Sequence, residues 1–353
     1  MSRESPKTYF RIVVLLMVLP FSAFAGSKGI AYVSDQEGAV TVVDLETMEI
    51  KGVLDIDAKG PRGIGVTEDG KWLVTANKDD GNISVIDTAT GRLVKHVVIG
   101  KNPEFVRVRG DIAFVTFEPS FKAGKIPQQG SMDKRETGGD DKVPGHVAVV
   151  NLTTGKILVD IVGRPETEGV EISKDGNQII VANESDNSIS VHDVNSGKLL
   201  KNISLSQYGE RPRGIKLSPD GSVYVTTLEF SAKLLVLDKN FELIKEVATG
   251  KTPYGVSFDY DGKRVFVATN KEKALQVFDA KTWAKIKDIP TGDRCWHFTF
   301  TPDNQQILLA CGKSNEILVI DANRLEVTKQ ISDSGMPWGI VTFPKSMGSL
   351  DRP

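Results

Sequence analysis

Apolar residues along this chain come in short alternating runs that end in an acidic residue and a turn. The run Val42-Val43-Asp44 recurs as Val85-Ile86-Asp87, Val149-Val150-Asn151, Val191-His192-Asp193, Val236-Leu237-Asp238, Val277-Phe278-Asp279 and Val319-Ile320-Asp321. These seven copies follow one another every 41–45 residues, apart from one interval of 64. A second marker keeps the same beat: Pro61-Arg62-Gly63, Pro212-Arg213-Gly214, Pro253-Tyr254-Gly255 and Pro337-Trp338-Gly339. Pro103-Glu104-Phe105, Glu168-Gly169-Val170 and Cys295-Trp296-His297 are its degenerate copies. Turns such as Asp69-Gly70, Asp175-Gly176, Asp220-Gly221 and Asp261-Gly262 come next, and Asp-Gly between alternating apolar runs is a strong hairpin signal. In the second copy the pattern predicts strands at 62–67, 72–77, 82–87 and 92–99.

Four short strands per repeat of about 42 residues, seven times over, predict an all-β fold: a seven-bladed β-propeller of four-stranded antiparallel blades. Ile30 to Ser34 reads as the second strand of a blade, and Trp338 to Phe343 as a first strand standing alone. One blade is therefore expected to take three strands from the front of the chain and one from the back. Such a 3+1 blade closes the ring and leaves no open sheet edge.

Composition narrows the chemistry. The 353 residues carry 44 Lys and Arg against 46 Asp and Glu, so no basic field supports nucleic-acid binding. Two Cys and four His exclude a disulfide-dense scaffold and a multi-Cys metal framework. His96, His146, His192 and His297 fall in different repeats, and no metal site or cofactor is expected from them. The recurrent Asp of each third strand reads as structural, accepting backbone N–H groups at the following turn.

Arg3, Lys7 and Arg11, the apolar run Ile12 to Phe24, and Ala23-Phe24-Ala25 form the three-part pattern of a secretory signal. Residues 1–25 are expected to be cleaved, 26–344 to form the propeller, and 345–353 to form a C-terminal tail. No later run is long and apolar enough to span a bilayer, so a protein exported to the bacterial periplasm is expected.

The stretches Val74-Thr75-Ala76-Asn77, Tyr224-Val225-Thr226-Thr227 and Val267-Ala268-Thr269-Asn270 resemble the tetrapeptide of the YVTN repeat family of seven-bladed propellers. The likeness covers nearly all of the chain after the leader. The chain is also similar to exported propellers associated with quinoprotein alcohol oxidation and, more loosely, to cytochrome d1-type propellers. The family shares no catalytic motif, so the resemblance implies a fold and leaves function to the site.

Two candidate sites follow. The variable residue of each marker opens an innermost strand and should sit at the channel mouth: Arg62, Glu104, Glu168, Arg213, Tyr254, Trp296 and Trp338, with His297 beside them. Arg, Tyr and Trp on one rim suit recognition, while the same groups paired with each other would simply plug the channel. The long interval holds an insertion at 119–145, with Phe121, Lys125, Lys134 and Arg135 as partner-contact candidates on the same face. Cys295 and Cys311 face each other if the intervening hairpin has a three-residue turn pairing Thr301 with Gln305; a two-residue turn would put them on opposite faces.

The expected function is that of a non-catalytic interaction subunit or accessory protein of a periplasmic redox enzyme system. Its rivals are an enzyme or carrier acting on a small molecule or tetrapyrrole at the mouth, and single-stranded nucleic acid stacked on the aromatic rim.

Overall fold

The computed structural model describes residues 28–118 and 143–353. Their strands form seven four-stranded antiparallel sheets, and helix among the described residues is confined to two 3-10 turns, Glu229–Ser231 and Gly312–Ser314. None of these helices is long and apolar enough to cross a membrane. The leader at 1–25 and the loop candidates Phe121, Lys125, Lys134 and Arg135 lie outside the described residues.

Blade 1 is the divided one. Its innermost strand, Pro337–Phe343, pairs with Ile30–Asp35, and Ala39–Asp44 and Glu49–Asp55 complete it. Val33 lies opposite Ile340, and Tyr32 opposite Val341. Blades 2 to 7 follow in chain order, with innermost strands Pro61–Val66, Val106–Arg109, Thr167–Ile172, Pro212–Leu217, Pro253–Phe258 and Cys295–Phe300. Second strands such as Trp72–Asn77 and Gln178–Asn183 are apolar on both faces because a neighbouring blade covers each side. Outer strands such as Arg92–Val98 alternate exposed and covered positions, as strands with one wet face do.

The recurrent motifs have local causes. Every third-strand Asp or Asn accepts a backbone N–H two to four residues on: Thr47 on Asp44, Thr90 on Asp87, Thr154 on Asn151, Ser196 on Asp193, Asn240 on Asp238, Thr282 on Asp279 and Arg324 on Asp321. The glycine of the Pro-x-Gly marker reflects crowding between innermost strands. A Cβ on Gly63, Gly169, Gly214, Gly255 or Gly339 would come under 3.0 Å from the carbonyl oxygen of the mouth residue in the next blade.

The marker also bulges. Register slips by one residue between Pro61 and Ile64, Thr167 and Val170, Pro212 and Ile215, Pro253 and Val256, and Cys295 and Phe298. This settles the geometry of the cysteine hairpin. Its turn is not the three-residue one: Thr301 N–H donates to Gln306 O, and Phe300 pairs with Ile307. That register alone would separate the cysteines. The bulge at Trp296 and His297 restores the offset, Cys295 pairs with Cys311, and the two form a disulfide.

Residues 345–352, which carry no repeat signal, turn back into the channel. Met347 O accepts Phe300 N–H, and Ser349 N–H donates to Phe298 O, so the segment runs antiparallel to the innermost strand of blade 7. Gly348 N–H donates to Asp351 O, and Arg352 then reaches Glu171 and Ile172 O across the channel. Met347, Ser349, Leu350 and Asp351 are all buried.

Candidate functional site

Each innermost strand starts at the mouth, so the variable residue of its marker lines the first layer of the channel and the residue three positions on lines a deeper one. The first layer holds Arg62, Glu104, Glu168, Arg213, Tyr254, Trp296 and Trp338, and their contacts close a circuit. Arg62 pairs with Glu104, Glu104 acts electrostatically on Glu168, and Glu168 lies 2.5 Å from Arg213. The Arg213 guanidinium stands 4.8 Å from the Tyr254 ring centre. Tyr254 meets Trp338 edge-on at 6.3 Å, and Trp338 lies 5.9 Å from the Arg62 guanidinium. Trp296 packs beside the circuit, against Gly312.

Second-to-third-strand connections add charges that the marker does not reveal. Glu184 and Glu229 follow the second strands of blades 4 and 5; Arg213 pairs with both, with Glu229 at 2.7 Å. Arg211, just before the marker proline, bridges the same two carboxylates and stacks on the exposed ring of Phe230 at 5.0 Å. Counting outward from Arg213 to the residue after each second strand would have found both glutamates.

Burial makes these carboxyls compete for few cations. Burial first, and then the facing Glu104, push the Glu168 carboxyl up to about 8 against the pull of Arg213. Burial would also raise Glu104, but Arg62 and Arg213 overcome it and hold Glu104 below its ordinary value. Glu184 is raised by burial and by Glu168. The rim therefore sets two carboxyls that hold their protons more tightly, Glu168 and Glu184, beside one that releases its proton more readily, Glu104, with the guanidinium groups of Arg62 and Arg213 among them.

His297 does not belong to the rim. It lies one level down, 1% exposed, with its ring 4.3 Å from that of Trp338 and 5.4 Å from that of Tyr254. Its Nδ1 meets the Ser349 hydroxyl at 3.0 Å, and burial, with Lys216 and Arg213 nearby, keeps it neutral. Roofed by aromatic rings, it is walled off from any molecule at the mouth. The aromatic rim is likewise closed to a base: Trp338, Tyr254 and Trp296 are 1%, 7% and 8% exposed, which removes the stacking platform of the nucleic-acid reading.

The deeper layer holds Arg107, Glu171 and Lys216, which the marker's second position does not report. Arg107 donates to Glu171 at 2.9 Å and to Leu350 O at 2.8 Å, and Arg352 lies 3.3 Å from the same carboxylate. These cations hold Glu171 down at about 2 despite burial. The Lys216 ammonium is 3.9 Å from Glu171 and has no hydrogen-bond partner; burial, and then Arg107, push it well below the ordinary lysine range. Among the described residues no three His, Cys, Asp or Glu side chains gather as metal ligands.

Comparison with known proteins agrees with this geometry at the level of the fold. Residues 152–240 match the family model described as Lactonase, 7-bladed beta-propeller. An uncharacterised protein of Salmonella typhimurium, YncE, is 25% identical over 206 residues, which are 56% of this chain and 50% of that protein. The chain thus spans about half the length of the curated relatives it matches. Hydrazine synthase of Kuenenia stuttgartiensis superposes with a TM-score of 0.69 at 17% identity, over 89% of this chain and 99% of that one. Dihydro-haem d1 dehydrogenase NirN, in complex with DHE, superposes with a TM-score of 0.63 at 17% identity, over 88% and 74%. What these proteins share with this chain is the β-propeller fold.

Proposed function

We propose that this chain is an exported interaction subunit or accessory protein of a periplasmic redox enzyme system, such as one for quinoprotein alcohol oxidation. It docks its partner across the mouth face and the 119–145 insertion. The observation that carries this reading is how the channel is filled. Rim charges are neutralised by one another, aromatic rings roof His297, and residues 345–352 occupy the space below. What the face presents to a partner is a rigid charged rim with Phe230 standing 64% exposed at its edge. An exposed aromatic beside arginine is a common interface anchor. The likeness to hydrazine synthase and NirN supports a redox setting for the partner.

The test is affinity capture from the native source with Phe230→Glu and with residues 120–144 replaced by a Gly-Ser bridge. Both proteins should fold like the native one. Each should lose a redox enzyme that the native protein retains; unchanged capture would remove the mouth face from the interaction.

A second reading has one specific observation behind it. The stretch matching the lactonase model contains Arg211 and Arg213 together with Glu168, Glu184 and Glu229, carboxylates with which they pair. A carboxyl that keeps its proton at neutral pH beside an arginine could act on a small lactone. Hydrolysis of a δ-lactone by the native protein that disappears in Glu168→Gln would favour it.

A further inference from the structure

One position of the repeat becomes an arc on the mouth face. Two residues past the end of the second strand stand Phe230 in blade 5, Lys271 in blade 6 and Lys313 in blade 7, after strands Val223–Leu228, Arg264–Thr269 and Gln306–Cys311. All three are exposed. Lys251 and Arg294, from the connections that enter the innermost strands of blades 6 and 7, are exposed beside them.

Hydrogen bonds knit these connections into one ledge. Lys271 N–H donates to Thr252 Oγ1 at 2.8 Å, Thr291 N–H to Lys273 O at 2.9 Å, and Gly312 N–H to Arg294 O at 3.0 Å. The ledge is cationic. Its two carboxylates are engaged, Asp293 with Lys273 at 3.6 Å and Glu272 with Lys251 N–H at 3.3 Å. Among the described residues, the ammonium groups of Lys251, Lys271 and Lys313 and the Arg294 guanidinium take no ion pair.

The same connections in blades 4 and 5 are acidic and close on themselves. Arg164 holds Asp186 at 2.9 Å, and Arg211 holds Glu184 at 2.6 Å and Glu229 at 3.3 Å, with Glu166 and Glu210 alongside. The mouth face thus adjoins a sector with its charges met internally to one whose cations are left to solvent. A nucleic-acid strand or an anionic membrane laid across the mouth would put like charge over blades 4 and 5 as well. A protein surface can confine its carboxylates to one sector and cover Phe230 beside it, which is how complementary interfaces set orientation.

We propose that the partner of the mouth face presents an acidic protein patch to blades 6 and 7, next to its contact with Phe230. This rests on the docking reading above and supplies the chemistry of the partner. Charges at an interface rim act chiefly on the rate and orientation of encounter.

The test uses the full-length protein and the redox enzyme it captures, once purified. Carbodiimide, which joins an ammonium to a carboxylate in contact with it, should link Lys271 or Lys313 to Asp or Glu of that enzyme, as read by mass spectrometry of the linked peptides. Lys271→Glu with Lys313→Glu should slow association about tenfold or more in about 20 mM NaCl, and the difference should shrink in about 500 mM NaCl. Lys239→Glu with Lys281→Glu makes the same change in net charge at exposed turns on the opposite face and should leave the rate near native. Rates for the two double variants within about twofold of each other would overturn the acidic patch. If Phe230→Glu still abolishes capture in that case, docking at the mouth stands without it. Capture of nothing by the native protein would overturn both. Retention on single-stranded DNA or on phosphatidylglycerol vesicles that the ledge reversal abolishes, with no protein cross-link, would also overturn the protein patch.

Discussion

The two charged layers of the channel sit on the same innermost strands, three residues apart, yet they are satisfied in different ways. In the mouth layer, Arg62 finds Glu104 on the next blade, and Arg213 finds Glu168 and Glu184 on the preceding blade and Glu229 on its own, so blade meets blade. In the deeper layer, Arg107 and Glu171 are completed by Leu350 and Arg352, from a segment outside every repeat. The mouth is a property of the ring; the deeper layer is a property of the ring plus its plug. Arg213 in the mouth has several carboxylates to share, whereas the deeper layer centres on the single carboxylate of Glu171 among Arg107, Arg352 and Lys216 and leaves the Lys216 ammonium without a hydrogen bond.

The largest test removes both the closing strand and the plug. Deleting residues 337–353 takes away the innermost strand of blade 1 and buried Trp338, Ile340, Val341 and Leu350. At about 1.5–3 kcal/mol per large apolar side chain, together with a strand of hydrogen bonds, the loss approaches or exceeds the roughly 5–15 kcal/mol of ordinary net stability. No cooperative melt should be seen by circular dichroism; a native-like melt would mean that the ring does not depend on its divided blade.

Next, Glu171→Gln should separate the layers. It leaves Arg107, Arg352 and Lys216 buried together without their shared carboxylate, and should cost about 3–5 kcal/mol in denaturant unfolding. The same change at Glu229, partly exposed and one of several partners of Arg213, should cost clearly less. Equal losses would end the distinction between shared and single-partner charges.

The mouth should show itself in pH dependence. Glu168 keeps its proton up to about pH 8 when folded and releases it near 4.5 when unfolded. The folded state therefore binds more protons between those values, and stability falls as pH rises through the window, by at most about 1.4 kcal/mol per pH unit. Above pH 8 this contribution is level. Melting curves of Glu168→Gln should lose that share of the slope; an unchanged slope would mean that the proton sits elsewhere.

The smallest effect has the opposite sign. Lys216→Met removes a buried ammonium that makes no hydrogen bond and leaves Glu171 with both arginines. The variant should be more stable by about 1 kcal/mol or more. Destabilisation would show that Lys216 is bound to something essential.

Much of this architecture was legible along the chain because a repeat states the same local rule seven times. Alternating strands, the third-strand Asp with its turn, the Pro-x-Gly crowding and the 3+1 closure each depend on residues close in sequence or on the period itself. The period also told which seven residues share the mouth, since equal positions in a ring must face one axis. It did not tell which partner each would take. His297 is in a marker copy, but the bulge and the Trp338 ring put it below the rim. The cysteines met through that same bulge, with a turn one residue longer than the facing arrangement had required. Glu184 and Arg211 needed the neighbouring blade to acquire a purpose. The plug at 345–352 had no periodic signal whatever. Its contacts with Phe298, Glu171 and Arg107 reach three different blades, and only closure of the ring brings them within its reach.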